Sequence, residues 1–487
     1  MFATKVPEIR IGSLNDKEEN PNGKFVLYWM VSARRTQYNF GLQHAIEIAL
    51  EHNKPLVVFE ALRLGYPWAS PRFHQFVVEG MADNQKAFKG TPIEYYPYVE
   101  QKENDGKGLL ERLAEHALAV VTDDTPFFFM PKMQKTFAGR IKAQCLAVDS
   151  NGIYPFRHAT RAFTTAASFR RHLQKCLGDV IGQLADPNPL KKAAGLPKAN
   201  IDGAILKKWP KATCTKECWE IAGASCFDKD VGFGGLHGGA IVADSLLKTF
   251  LKSTIHTYVD ERNQPQKKCQ SFLSPYLHFG HISSHQIFHE LMTQEGWSPL
   301  DLAPEATGSR QGWWGASAAA EAFLDQFITW RELSYNGSFQ IADYTKFDTL
   351  PGWAQKTLHD HAEDPREYIY TEEQFEYAQT HDALWNAAQN QLRREGSIHN
   401  YLRMLWGKKI LEWTKHPTDA LRVMIQLNNK YAYDGRNPNS YGGIMWTLGR
   451  YDRAWGPERP VFGKIRFMSS ANTARKVKVK EYIKTYS

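Results

Sequence analysis

The chain has 487 residues, too many for one ordinary domain and suited to two or three, and its 43% hydrophobic share is that of a folded protein with real cores. A net charge of +8 favours an acidic partner, with nucleic acid the usual one, although 60 basic residues are offset by 52 acidic ones. No run approaches the roughly 18 unbroken apolar residues of a membrane span, and the N-terminus lacks an apolar signal core. A soluble protein is expected, cytoplasmic, or nuclear in a eukaryote. Six scattered cysteines fit a reducing compartment. Cys214, Cys218 and Cys226 form the only cluster, and without a fourth ligand or tighter pairs no metal is expected there.

The first third alternates between two patterns. FVLYWM (25–30), PLVVFEAL (55–62), PIEYYPYV (92–99), ALAVVTDD (117–124) and CLAVDS (145–150) are short, near-continuous apolar runs of the kind that form strands buried on both faces. Between them lie helix-length segments at 38–53, 71–89, 107–116 and 131–143. Repeated strand–helix units predict a parallel, doubly wound α/β sheet. The first strand is followed by SARR in place of GxGxxG, which argues against an ordinary NAD-binding half. Any ligand is expected at the carboxyl ends of the strands, near residues 30–40 and 122–130.

Prolines, glycine and lysines in DPNPLKKAAGLPKANID (around 185–203) give a linker signature. Beyond it the periods are helical, at 239–256, 283–294, 317–335, 372–393, 398–414 and 417–430, so the second half is predicted to be all helical. Two glycine-rich pieces, GFGGLHGG (232–239) and SYGG (440–443), mark tight turns or close backbone approach.

Chemistry concentrates in this half. In QSFLSPYLHFGHIS (270–283), Ser271, Ser274 and Ser283 surround turns just ahead of a helix, where hydroxyls and free amides can cradle a pyrophosphate. Trp385, Trp406 and Trp413 fall on two helices, roughly 383–395 and 398–414, broken at Gly396. Trp406 and Trp413 are two turns apart and share one face, about 10 Å apart along the axis. Such indoles serve either as simple core or as a relay for single electrons. Arg403 and Asp434 can pair, as a structural salt bridge or as a charge pair beside a flavin ring. Trp446 and Trp455 sit among Arg450, Arg453, Arg459, Lys464 and Arg466, in what reads as a glycine-rich loop. Cations for phosphates and rings for unstacked bases are what a nucleic-acid surface needs.

The runs LSPYLHFGHIS, HDALWNAAQ, LRMLWGKKILEW, YDGRNPNSYGGIMW and ERPVFGKIRFM, in this order, resemble the class II cyclobutane pyrimidine dimer photolyases of the photolyase/cryptochrome family. The N-terminal VLYWMVSARRTQYNFGLQHAIEIAL is similar to the same family's opening strand and helix. The resemblance spans nearly the whole chain and is loosest from about 155 to 250. It implies an α/β domain over 1–180, a linker over 181–230, and a helical FAD- and DNA-binding domain over 231–487. It also implies light-driven electron transfer to a dimer in damaged DNA, a possible deazaflavin or folate antenna, and a monomer.

Carried over by motif, Trp406, Trp385 and Trp413 would be the proximal, middle and distal members of the photoreduction chain, with Tyr370 as a side branch. Asn428 would face flavin N5, with Arg403 and Asp434 beside the ring. Tyr258, Ser271, Leu273 and Ser274 would hold the phosphates, with Arg331 nearby. Trp330, Met404, Trp446 and Trp455 would wall the pocket for a flipped dimer, and Arg466 would fill the gap left in the duplex. One departure from the family matters most. The helix FLDQFITWREL carries Gln326 where a second acid is usual, which weakens hydrogen bonding to an anionic dimer. That departure keeps two alternatives open, a cryptochrome-like photoreceptor and a (6-4) photolyase. The latter would want paired active-site histidines; His278 and His281 fall in the flavin loop and His399 precedes Arg403, and nothing in the sequence places them at the dimer. Asn429 and Asn437 replace other common acids.

Overall fold

The computed structural model describes residues 2–218, 227, 228 and 230–487, so Cys226 lies outside the described residues. The expected apolar runs form strands. These are β2 (Phe25–Met30), β3 (Leu56–Leu62), β4 (Glu94–Val99), β5 (Ala117–Asp123) and β6 (Gln144–Val148). A short additional strand, β1 (Ile11–Ser13), pairs antiparallel with β6, and every other pairing is parallel. The order is β1-β6-β5-β2-β3-β4, so the winding reverses between β2 and β5.

Helices α1 (Phe40–Glu51), α2 (Pro71–Phe88), α3 (Leu109–Ala114) and α4 (Met130–Ala138) link the parallel strands. Asn39 caps α1 by accepting a hydrogen bond from the Leu42 amide at 3.0 Å. One sheet face packs Val26, Tyr28 and Val58 against Ile46 and Ala49 of α1, and the other packs Leu27, Trp29 and Val57 against Leu113 and Phe137. Both faces are covered, which is why the strands read as continuous apolar runs. At the switch point, the amides of Val31, Ser32 and Ala33 all donate to one oxygen of Asp123, at 2.8, 2.7 and 2.9 Å. Tyr28 donates to its other oxygen at 2.6 Å.

The chain forms two compact units, each drawn from three stretches. The first holds 1–158, 178–248 and 272–299, and the second holds 159–177, 249–271 and 300–487. In the first, the proline- and lysine-rich stretch is packed down. Ala185, Ala193 and Leu196 join the core beside Ile46, and the short helix Pro189–Gly195 buries Pro189 and Ala193. The helix Ser284–Gln294 belongs here too, its His285 ring edge-on to Phe40 at 5.1 Å.

The second unit is helical, with no strand among the described residues. The helices Ala383–Glu395 and Asn400–Trp413 are separated by Gly396 in the left-handed region, φ 66°. The helical period expected over 372–393 is broken, since Glu372–Glu376 ends before Asp382 caps the next helix through the Leu384 and Trp385 amides. No helix among the described residues is long and apolar enough to cross a membrane.

Candidate active site

The helix Ala383–Glu395 places Trp385 and Gln389 one turn apart on a buried face. The indole N–H of Trp406 donates to Gln389 Oε1 at 2.9 Å, and that of Trp385 donates to the Trp406 carbonyl at 3.0 Å. The Trp385 and Trp413 rings are 6.0 Å apart and edge-on. All three are buried, and every indole contact named here is fixed by backbone or by a packed side chain. Tyr370 adjoins Trp413 at 5.7 Å, and its hydroxyl lies 2.7 Å from His381 Nδ1. His381 is exposed and its ring is 5.0 Å from Trp413, so the aromatic series runs from the core to the surface.

Arg403 and Asp434 form a two-point ion pair, at 3.0 and 3.3 Å. The buried Asn428 donates to Ser440 Oγ at 2.6 Å. Asn429 donates to the Tyr441 hydroxyl at 3.0 Å and accepts from the Arg436 amide, while Asn437 caps the helix Pro438–Thr447 through the Ser440 amide at 2.9 Å. Asn429 and Asn437 therefore both have structural partners.

Tyr258 is buried with its ring edge-on to Phe250 and Phe323. Tyr258 and Ser271 belong to the second unit, whereas Leu273 and Ser274, at the start of the helix Ser274–His278, belong to the first. Arg331 is buried, with its guanidinium 4.6 Å from the Tyr335 ring and one nitrogen on the Tyr335 hydroxyl at 3.3 Å. Its Nη1 has no partner among the described residues. A buried, incompletely paired guanidinium is costly alone and suits a phosphate oxygen, so Arg331 fits the phosphate of a dinucleotide such as FAD.

Gln326 and Trp330 lie on a π-helical stretch, Asp325–Trp330, an irregularity frequent at functional sites. The preceding acid, Asp325, is turned away into an ion pair with Arg170 at 2.7 Å. Trp330, Met404, Trp446, Trp455 and Arg466 are all half-buried, in contrast with the enclosed tryptophans above. Arg466 pairs with Asp452 at 2.9 and 3.2 Å and lies 4.0 Å from the Trp455 ring and 5.6 Å from that of Trp446. Trp455 donates to the same carboxylate at 3.2 Å.

Two expectations need correction. Trp446 is on the helix Pro438–Thr447 and not in a loop, because Gly442 is placed there for close approach to Ser334 on the neighbouring helix Arg331–Gln340. Arg450 is not a surface base. It is buried and donates to the carbonyls of Tyr344 and Thr349, so its guanidinium serves buried backbone acceptors in place of solvent. Arg453, Arg459 and Lys464 are exposed as expected. The residues not singled out from sequence are the partners: Gln389, His381, Arg170, Asp452 and Lys408. Only the spacing of Gln389 from Trp385 was available as a signal.

Of the histidines, His278 and His281 are in the first unit and His399 in the second. His281 and His399 accept backbone amides at 2.9 and 3.2 Å, and burial pushes their imidazoles down to about 3 and about 4. Cys214 and Cys218 are free thiols, and no group of metal-ligating side chains occurs among the described residues.

No family model matches the chain. The deoxyribodipyrimidine photo-lyase of Methanothermobacter thermautotrophicus is 34% identical over 479 residues, 97% of each chain. That of Arabidopsis thaliana is 33% identical, covering 94% of this chain and 88% of its own, and that of Potorous tridactylus is 28% identical, covering 99% and 84%. The fold is similar to a bacterial class III photolyase from Agrobacterium tumefaciens, with a TM-score of 0.66 and 16% identity over 97% of this chain and 88% of that one. The chain belongs to the deoxyribodipyrimidine photo-lyase family.

Proposed function

We propose that the chain is a light-driven DNA-repair lyase of the class II kind, which splits cyclobutane pyrimidine dimers. The observation that carries the reading is the contrast between two sets of tryptophans in one helical unit. One set is enclosed and leads to a surface tyrosine–histidine pair. The other is half-open and interleaved with arginines. The first arrangement suits electron supply and the second suits a flipped base.

FAD, when bound, supplies the light-absorbing electron donor. The chain's own residues would do the rest. Arg331, Tyr258 and Ser271 would hold the phosphates, and the Arg403–Asp434 pair with Asn428 would set the charge and hydrogen bonding beside the ring. Trp406, Trp385 and Trp413 would pass electrons inward, with Tyr370 as a branch. Trp330, Met404, Trp446 and Trp455 would enclose the dimer, and Gln326 would donate its amide to a pyrimidine carbonyl. Arg466 would leave Asp452 to fill the gap in the duplex.

Damaged DNA is the proposed partner of a monomeric enzyme. An antenna chromophore, deazaflavin or folate, belongs to the same reading, since the carboxyl ends of β2 and β5 are where a sheet of this order offers room for a ligand. Illuminating the protein with a duplex carrying one thymine dimer tests the proposal. Restored thymines in blue light and none in the dark support it. Flavin that photoreduces without any loss of dimer gives the photoreceptor reading instead.

A further inference from the structure

The cationic and aromatic side chains around Trp446 alternate in a series that runs inward from the surface. Arg453 lies 4.5 Å from the Trp455 ring, Arg466 lies between Trp455 and Trp446, and Lys408 lies 4.8 Å from the Trp446 ring. The outer members are open to water. Lys408 is not: its exposure is 0%, and its ammonium donates to the Thr447 carbonyl at 2.6 Å.

A buried ammonium is expensive, and among the described residues no carboxylate pairs with this one. An aliphatic side chain of similar length would fill the space on the helix Asn400–Trp413 at lower cost. What the lysine adds is a cation held at one place beside an indole, the geometry in which ring and charge attract. Trp446 itself is half-buried, and both Lys408 and Arg466 are placed against its ring.

We propose that Lys408 is a positioning residue for the lesion pocket: clamped by the Thr447 carbonyl, its ammonium fixes the plane of the Trp446 indole against which a pyrimidine dimer stacks. This rests on the reading of Trp446 as a wall of that pocket. The charged groups acting on Lys408 are Asp452, which favours the ammonium, and Arg466, which opposes it. Burial outweighs both and brings the lysine down to about 7. Positioning belongs to the charged form and fades as the pH rises through that value.

The test is the ratio of affinities for a dimer-containing duplex and the same duplex undamaged, which cancels phosphate binding common to both. Lys408→Met keeps the stem and removes the charge. It should lower the ratio about tenfold with flavin content unchanged. In the native protein the ratio should fall between about pH 6 and about pH 8.5, and in Lys408→Met it should stay flat across that range. The native profile stands as a test even if the variant folds poorly. A native preference for the lesion that neither pH nor Lys408→Met alters overturns the positioning role alone. A native protein with no preference at any pH overturns the pocket reading, and this role with it.

Discussion

The indole N–H of Trp385 donates to the backbone carbonyl of Trp406, while its ring stands edge-on to Trp413. One side chain thus joins two residues seven apart on the next helix. The middle position of the three is set by packing between helices, and not by spacing along one of them.

Replacing Trp406 by Phe should abolish photoreduction of bound flavin while leaving flavin content intact. The change removes one member of the series and little volume, but leaves the Gln389 oxygen without its donor. A stability loss of about 1–3 kcal/mol is expected from that unpaired group. Absorption spectra under blue light with reductant, and a urea titration, check the two halves. Unchanged photoreduction contradicts the assignment.

Gln326→Glu should raise the yield of dimer splitting per absorbed photon. An acid donates a shorter, stronger hydrogen bond to a developing anion than an amide does. A gain of about tenfold needs only ~1.4 kcal/mol of extra stabilisation. Dimer loss per photon in both forms measures it, and an equal or lower yield in the glutamate form shows that Gln326 does not face the dimer.

Binding to damaged duplex should weaken as salt rises. With Arg453, Arg459 and Lys464 exposed, about three phosphate contacts give a slope of about −3 in log K against log salt. Arg453→Ala should reduce the slope by about 1. A flat response would indicate a partner other than nucleic acid.

Asp325→Ala should destabilise the second unit by about 3–5 kcal/mol, since it strands the buried Arg170 guanidinium. Chemical denaturation followed by tryptophan fluorescence reads this directly, and a loss under 1 kcal/mol would mean that Arg170 finds another partner.

The parallel strands were legible because burial on both faces forces unbroken apolar runs, and β1 was not because three residues carry no pattern. The tryptophan helices were legible from period and from Gly396. The helix Pro438–Thr447 was hidden because its glycines read as turn formers, whereas Gly442 is there for helix contact and would meet Ser334 and Tyr451 if it bore a side chain. Charges were the least legible. Arg450 and Arg466 look alike in sequence, yet one satisfies buried carbonyls and the other pairs with Asp452 at a half-open surface. Lys408 reads as one of two adjacent lysines on a helix, and only packing shows that it is enclosed while Lys409 reaches Glu412.

The central claim, that light absorbed by a bound flavin drives the splitting of pyrimidine dimers, is tested most directly by an action spectrum. The rate of dimer loss, measured at a series of wavelengths at equal photon flux, should follow the absorption of the protein-bound chromophore and vanish in the dark. Dimer loss that persists in darkness, or none at any wavelength the chromophore absorbs, contradicts it.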